Sequence, residues 1–252
     1  MAVRHTEEVM GMPVTVVIQD AGDFAPSLRQ VFAELRRVDR LFSPFLPFSQ
    51  VSLMNRGRLA HADADRDLKL VLDLCRLYQT RTRGYFSAYP QGRLDPSGLV
   101  KGWAIDRAAQ ILIDGGARNF FVDGAGDVLL RGRQSAARPW LVGIRHPQEH
   151  ERTVRVLEAT DLAVATSGTY EKGLHVVDPH TGRASEHWVS VTVVGPDMVE
   201  ADVLATAALA MGPGGLDLIE HWPGYDGYAI DRNQRAYWTS DFERHCRLER
   251  AS

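Results

Sequence analysis

Two hydrophobic periods succeed one another along the chain without a regular rhythm. The stretch MPVTVVIQD (12–20) alternates and is rich in β-branched residues, as a strand does, whereas APSLRQVFAELRRVDRLFS (25–43) repeats apolar residues at helical spacing. Two prolines in SPFLPF (43–48) stop that helix. DLKLVLDLCRLYQTRTRG (67–84) predicts a second amphipathic helix ending at Gly84, and VKGWAIDRAAQILIDGG (100–116) a third that closes on a Gly-Gly pair. A strand-rich half follows: NFFVDG and DVLLRG flank Ala125-Gly126, then come PWLVGIRHP, VRVLEATDLAVATSG, LHVVDP and WVSVTVVGP. The fourth helix, in GPDMVEADVLATAALAMGP, opens with Asp197 and Glu200 in the capping-box relation and ends at Gly212-Pro213. GYDGYAIDRNQRAYWTS finishes the pattern as a hairpin.

Interspersed helices and strands without βα alternation predict an α+β fold, mixed sheets with packed helices, rather than a doubly wound parallel sheet. No repeat or Gly/Ser linker divides residues 1–252, so a single domain is expected, with RGRQSAARP (131–139) as a polar surface loop. Apolar residues at 44% and charged residues at 24% favour no disordered, fibrous or membrane class. A net charge of −3 offers no basic footprint for nucleic acid. No apolar run is expected to reach the roughly 18–20 residues of a membrane span, and the start lacks the basic-then-apolar pattern of a secretory signal, so a cytoplasmic location is expected. Cys75 and Cys246 are far apart and outside any CxxC spacing, which points to plain thiols with a packing role.

Three motifs fail on context. GAGDVL (124–129) lacks the third glycine of a dinucleotide fingerprint and precedes a strand where a helix is needed. HPQEH (146–150) matches a metalloprotease pattern only on a helix, and Pro147 follows a strand, so a solvated loop is expected. TSGTY (166–170) lacks the glycine two residues before Ser167 that a nucleophile elbow demands.

Asp202 and Thr206 stand at i and i+4 and therefore share one face of the fourth helix. One reading is an aspartate at a solvated edge and a threonine bonded back to its own helix. The other is a hard-cation site: one carboxylate and one hydroxyl suit a Mg²⁺ that keeps water and completes its shell with substrate phosphate. In LDPSGLVKGWAID (94–106), Gly98, Lys101 and Gly102 stand at the mouth of a helix, where small residues let backbone approach a ligand and a lysine can meet phosphate. His175 begins a short strand that runs into the D-P-x-T-G turn of LHVVDPHTGR, and by itself such a histidine fits packing or surface as well as chemistry.

Taken in order, these segments resemble the ApbE family of FAD:protein FMN transferases. The resemblance rests on VMGMPVTV, SQVSLMN (49–55), GYF (84–86), SGLVKGWAID, VDGAGDVLLRG, ATSGTYE, HVVDPHTGR and EADVLAT, and runs over most of the chain. It implies a Mg²⁺-dependent enzyme that splits FAD at its pyrophosphate and joins the FMN part to a threonine or serine hydroxyl of a target flavoprotein, releasing AMP. It further implies that Asp202, Thr206 and the Gly98 carbonyl bind the metal, and that Met10, Phe45, Tyr85, Phe86, Ser87, Asp95, Lys101 and His175 line the FAD site. Asp202 and His175 would be the catalytic pair, His175 as proton acceptor or as a substrate contact. Ser87 replaces the family's aspartate, and the segment before the lysine box is reduced to AYPQGRLDPS. Two other activities stay open, a metal-dependent FAD pyrophosphatase giving FMN and AMP, and a non-catalytic flavin-binding protein.

Overall fold

The computed structural model describes residues 2–149, 151–169 and 176–247. The chain opens with β1 (Val3–Val9) and β2 (Met12–Ile18), joined by the two-residue turn Met10-Gly11. Both turn residues have positive φ, +58° and +72°, as a tight hairpin of this kind requires. Four helices follow: α1 (Ala25–Phe42), α2 (Gln50–Asn55), α3 (Arg66–Arg81) and α4 (Ser97–Asp114). Then come β3 (Phe120–Gly124), β4 (Asp127–Arg131), the hairpin β5 (Trp140–Arg145) and β6 (Thr153–Ala159), β7 (Ala163–Gly168) and β8 (Trp188–Gly195). Helices α5 (Met198–Met211) and α6 (Gly215–Glu220) lead into β9 (Asp226–Asp231) and β10 (Ala236–Trp238).

Eight of these strands form one antiparallel sheet in the order β1-β2-β3-β4-β7-β8-β9-β10, and β5-β6 form a separate pair. Alternation along the central strands builds two apolar layers. Val14, Val16, Ile18, Ala163, Ala165, Val191 and Val193 face the helices, while Val17, Val164 and Val194 join Trp140, Ile144 and Leu157 of the β5-β6 hairpin on the other face. Burial on both faces explains why β8 reads as a nearly continuous apolar run. The α+β expectation therefore holds, with the long sheet wholly antiparallel.

Several local expectations are corrected. Helix α4 begins at Ser97, three residues earlier than the apolar period predicted, directly after Pro96 and a turn in which the Asp95 carboxylate accepts from the Ser97 amide (3.0 Å). Helix α3 ends at Arg81 and Gly84 lies beyond it, since Arg83 (φ +54°) and Gly84 (φ +85°) both leave the helical region. Only half of the expected capping box forms: Asp197 accepts from the Glu200 amide (2.9 Å), but the Glu200 carboxylate is drawn to Arg81 (2.6 Å). In Val176–Pro179, the described part of LHVVDP, Val177 makes a single bridge to Ala184 rather than a strand, because Asp178 folds the chain into a tight turn. His146 is buried rather than solvated, its Nδ1 accepting from the amides of Gln148 and Glu149. The stretch Met198–Glu220 does reach span length by composition, against expectation; here Gly212 (φ +67°) interrupts it and 61% of its most apolar window is buried inside the protein.

Candidate active site

Helix α5 is apolar almost all round, and Asp202 and Thr206 project from it toward α4 and β7. Asp202 is 2% exposed, which removes the solvated-edge reading. Its Oδ2 accepts from the Gly102 amide (2.9 Å), the donor that a regular helix would pair with the Gly98 carbonyl. Gly102 is required at this crossing: a Cβ there would stand 2.7 Å from the Met198 carbonyl and 3.0 Å from Asp202 Cβ. Its smallness thus serves the approach of two helices rather than of backbone to a ligand. Gly98, one turn earlier on α4, faces Thr206, whose Oγ1 would lie 3.5 Å from a Cβ built on it.

The other wall comes from the sheet. Thr206 Oγ1 is 3.3 Å from Ser167 Oγ on β7. Lys101 Nζ lies 2.6 Å from Asp127 Oδ2 on β4 and 3.9 Å from Asp202 Oδ1, so one ammonium stands near two buried carboxylates. Asp127 Oδ1 also accepts from the Thr166 amide (3.0 Å), which ties β4 to β7 beside the cavity.

Lys101, Ser167, Asp202 and Thr206 form the floor of a cavity of about 490 Å³ whose walls include Met10, Phe45, Tyr85, Phe86, Ser87, Asp95 and Gly98, and Asp127 stands behind Lys101. Every residue named from the sequence as binding FAD or metal therefore lies on one cavity, except His175, which falls outside the described residues. The β1-β2 turn places Met10. Phe86 is held at the end of α3 by its amide bond to Thr82 Oγ1 (3.0 Å), and the Tyr85 ring meets the His180 ring edge-on at 4.6 Å, docking the Asp178 turn against the cavity. Ser87 is used locally, its hydroxyl accepting from the Tyr89 amide (3.1 Å), and Asp95 is partly used in the turn before α4. Asp127, Thr166 and Ser167 were not singled out from the sequence, although they sit in two of the segments discarded as dinucleotide and hydrolase motifs.

Among the described residues no group of three or more His, Cys, Asp or Glu side chains converges as a metal cage. The donor set on the cavity floor is instead hard and mostly neutral: the Asp202 carboxylate, the Thr206 and Ser167 hydroxyls and the Gly98 carbonyl. Such a set fits Mg²⁺, which takes few protein ligands and fills its shell with water and phosphate oxygens.

The ApbE family model matches residues 87–229 of this chain. An FAD:protein FMN transferase of Vibrio cholerae is 36% identical over 133 residues, covering 49% of this chain and 40% of that protein. One from Treponema pallidum is 31% identical over 224 residues, covering 77% of this chain and 61% of that protein. The matches thus span less than two thirds of either curated relative. The ApbE protein of Thermotoga maritima superposes with a TM-score of 0.88 at 21% identity, over 98% of this chain and all of that one, which shows a shared fold.

Proposed function

The chain belongs to the ApbE family, and from that premise we propose that it transfers the FMN part of FAD to a threonine or serine hydroxyl of an acceptor flavoprotein. The observation that carries this reading is the convergence, on one cavity large enough for an extended ligand, of the aromatic wall of Phe45, Tyr85 and Phe86 with the polar floor of Lys101, Asp202 and Thr206.

In this reaction the acceptor oxygen bonds to the FMN-side phosphorus, the bridging P–O bond breaks, AMP leaves with the bridging oxygen, and the hydroxyl proton passes to a base. Lys101 faces the pyrophosphate as a fixed positive charge, a role that needs position rather than covalent chemistry. Asp202, Thr206 and the Gly98 carbonyl would hold Mg²⁺, with Ser167 beside them. Bound there, the metal would neutralise charge building on the phosphate oxygens. Burial of Asp202 and its bond to the Gly102 amide keep the carboxylate in one orientation. By family resemblance His175 would take that proton or contact the substrate.

The test is incubation with FAD, Mg²⁺ and a folded acceptor, followed by mass analysis of the acceptor and measurement of AMP. Flavin attached to the acceptor, with one AMP per attachment, is the expected result. Equal AMP with and without acceptor and no attached flavin would identify a pyrophosphatase; FAD binding without AMP would identify a binding protein.

A further inference from the structure

The segment between α1 and α2 holds two phenyl rings in solvent, and one of them, Phe45, borders the cavity. Phe45 and Phe48 are each 88% exposed and Leu46 is 38% exposed. The loop that carries them is braced. Ser49 Oγ donates to the Ser43 carbonyl (2.5 Å), Ser52 Oγ to the Pro44 carbonyl (3.2 Å), and the Arg56 guanidinium to the Pro47 carbonyl. Pro44 and Pro47 restrict the backbone of the loop further.

A second stretch is tied alongside. The Asn55 side chain donates to the Leu94 carbonyl (2.8 Å) and accepts from the Leu94 amide (2.9 Å), which joins α2 to the segment carrying Tyr89, itself 51% exposed. Phe45 and Tyr89 both border the cavity, and Leu46 and Phe48 belong to the same braced loop as Phe45. Ser43–Arg58 and Tyr89–Leu94 hold Arg56, Arg58 and Arg93 and no acidic residue, and the carboxylates beside them, Asp39 and Asp95, line the cavity.

We propose that this loop, centred on Phe48, is the docking surface for the protein that receives the flavin. The partner it fits is a folded acceptor that presents its hydroxyl amid an apolar patch bordered by acidic residues. The inference rests on the transferase reading above. FAD is served by the cavity itself, and water needs no platform. A hydroxyl carried on a macromolecule does, because its attack depends on fixed position and its carrier must pack against the protein beside the cavity, where this loop offers exposed apolar side chains. Exposed, braced aromatic side chains supply the anchoring contacts of such interfaces, and the arginines supply charge complementarity.

The experiment compares the parental chain with Phe48→Asp and Phe48→Ser, using a folded flavoprotein acceptor domain and a short peptide of the same target sequence. The aspartate should raise KM for the folded acceptor roughly tenfold or more, the serine less, with the peptide reaction and the FAD affinity, read by flavin fluorescence, unchanged. Higher salt should raise KM for the folded acceptor in the parental chain. An unchanged KM in both variants overturns the proposal. So does an unchanged KM accompanied by lost sedimentation with phosphatidylserine vesicles, which would make the loop a membrane contact, or by lost self-association, which would make it a dimer face. A parental chain that attaches no flavin to the acceptor defeats the transferase reading itself, an outcome distinct from efficient transfer that ignores Phe48.

Discussion

Lys101 on α4, which lines the cavity, is paired with Asp127 on β4, Nζ to Oδ2 2.6 Å, and the carboxylate is 1% exposed. Removing the lysine alone would leave a buried charge uncompensated. Lys101→Met should therefore destabilise the fold by about 3 kcal/mol, the low end for a broken buried pair because Lys101 is partly exposed. The double variant Lys101→Met/Asp127→Asn should recover most of that loss, since asparagine keeps an acceptor for the Thr166 amide. Urea unfolding of the four proteins measures both; a double variant no more stable than Lys101→Met would show that the pair is not the origin of the cost.

Gly102→Ala is expected to be costly although alanine favours helices. Its methyl would meet the Met198 carbonyl at 2.7 Å, so α4 and α5 must separate and carry Asp202 away from its amide donor. Overpacking of this kind costs about 1–3 kcal/mol. The same substitution at Gly98 meets only 3.4 Å neighbours and should be tolerated by the fold while crowding the cavity floor. Thermal unfolding and FAD binding, measured on both, should separate a packing defect from a filled site.

Asp202→Asn keeps the shape and an acceptor for the Gly102 amide but removes the charge. Mg²⁺-dependent AMP release should fall on the order of 100-fold or more, with the unfolding midpoint little changed. Thr206→Val should be milder, as it removes one neutral ligand. Parental turnover with parental Mg²⁺ dependence in Asp202→Asn would assign the α5 face to packing alone.

Acid should unfold this protein in part through Glu34. Its carboxylate bonds to Arg37 and Arg107, and these contacts, Arg37 first, hold its pKa below the ordinary glutamate value against the opposing effect of burial. A lowered folded value contributes stability above the unfolded value, and that stability is lost as pH falls through the folded one. Glu34→Gln should cost about 1–3 kcal/mol at neutral pH and flatten the acid limb of the stability profile. The urea midpoint as a function of pH reads both; an acid limb as steep as the parental one would exclude Glu34 from the transition.

Legibility from sequence followed the range of the interactions. The four long helices and most strands announced themselves because periodicity is a property of neighbouring residues. Strand β1 did not: His5, Thr6, Glu7 and Glu8 offer no apolar alternation, and the segment is extended because β2 supplies its backbone partners along its whole length. The start of α4 was missed because its first turn, Ser97–Leu99 behind Pro96, carries no apolar repeat.

By itself the sequence determined that Asp202 and Thr206 share a helix face, since i and i+4 spacing needs nothing beyond the helix. It also carried the ordered motifs that resemble the ApbE family, because those are runs of adjacent residues. What faces the pair was decided only in three dimensions: Gly102 meets Asp202 across 100 positions and Ser167 meets Thr206 across 39. Burial of the carboxylate, the Lys101–Asp127 ion pair and the exposure of Phe48 belong to the same class. Each depends on which surfaces the packed helices and sheet bring together or leave in water, and no local pattern encodes that choice.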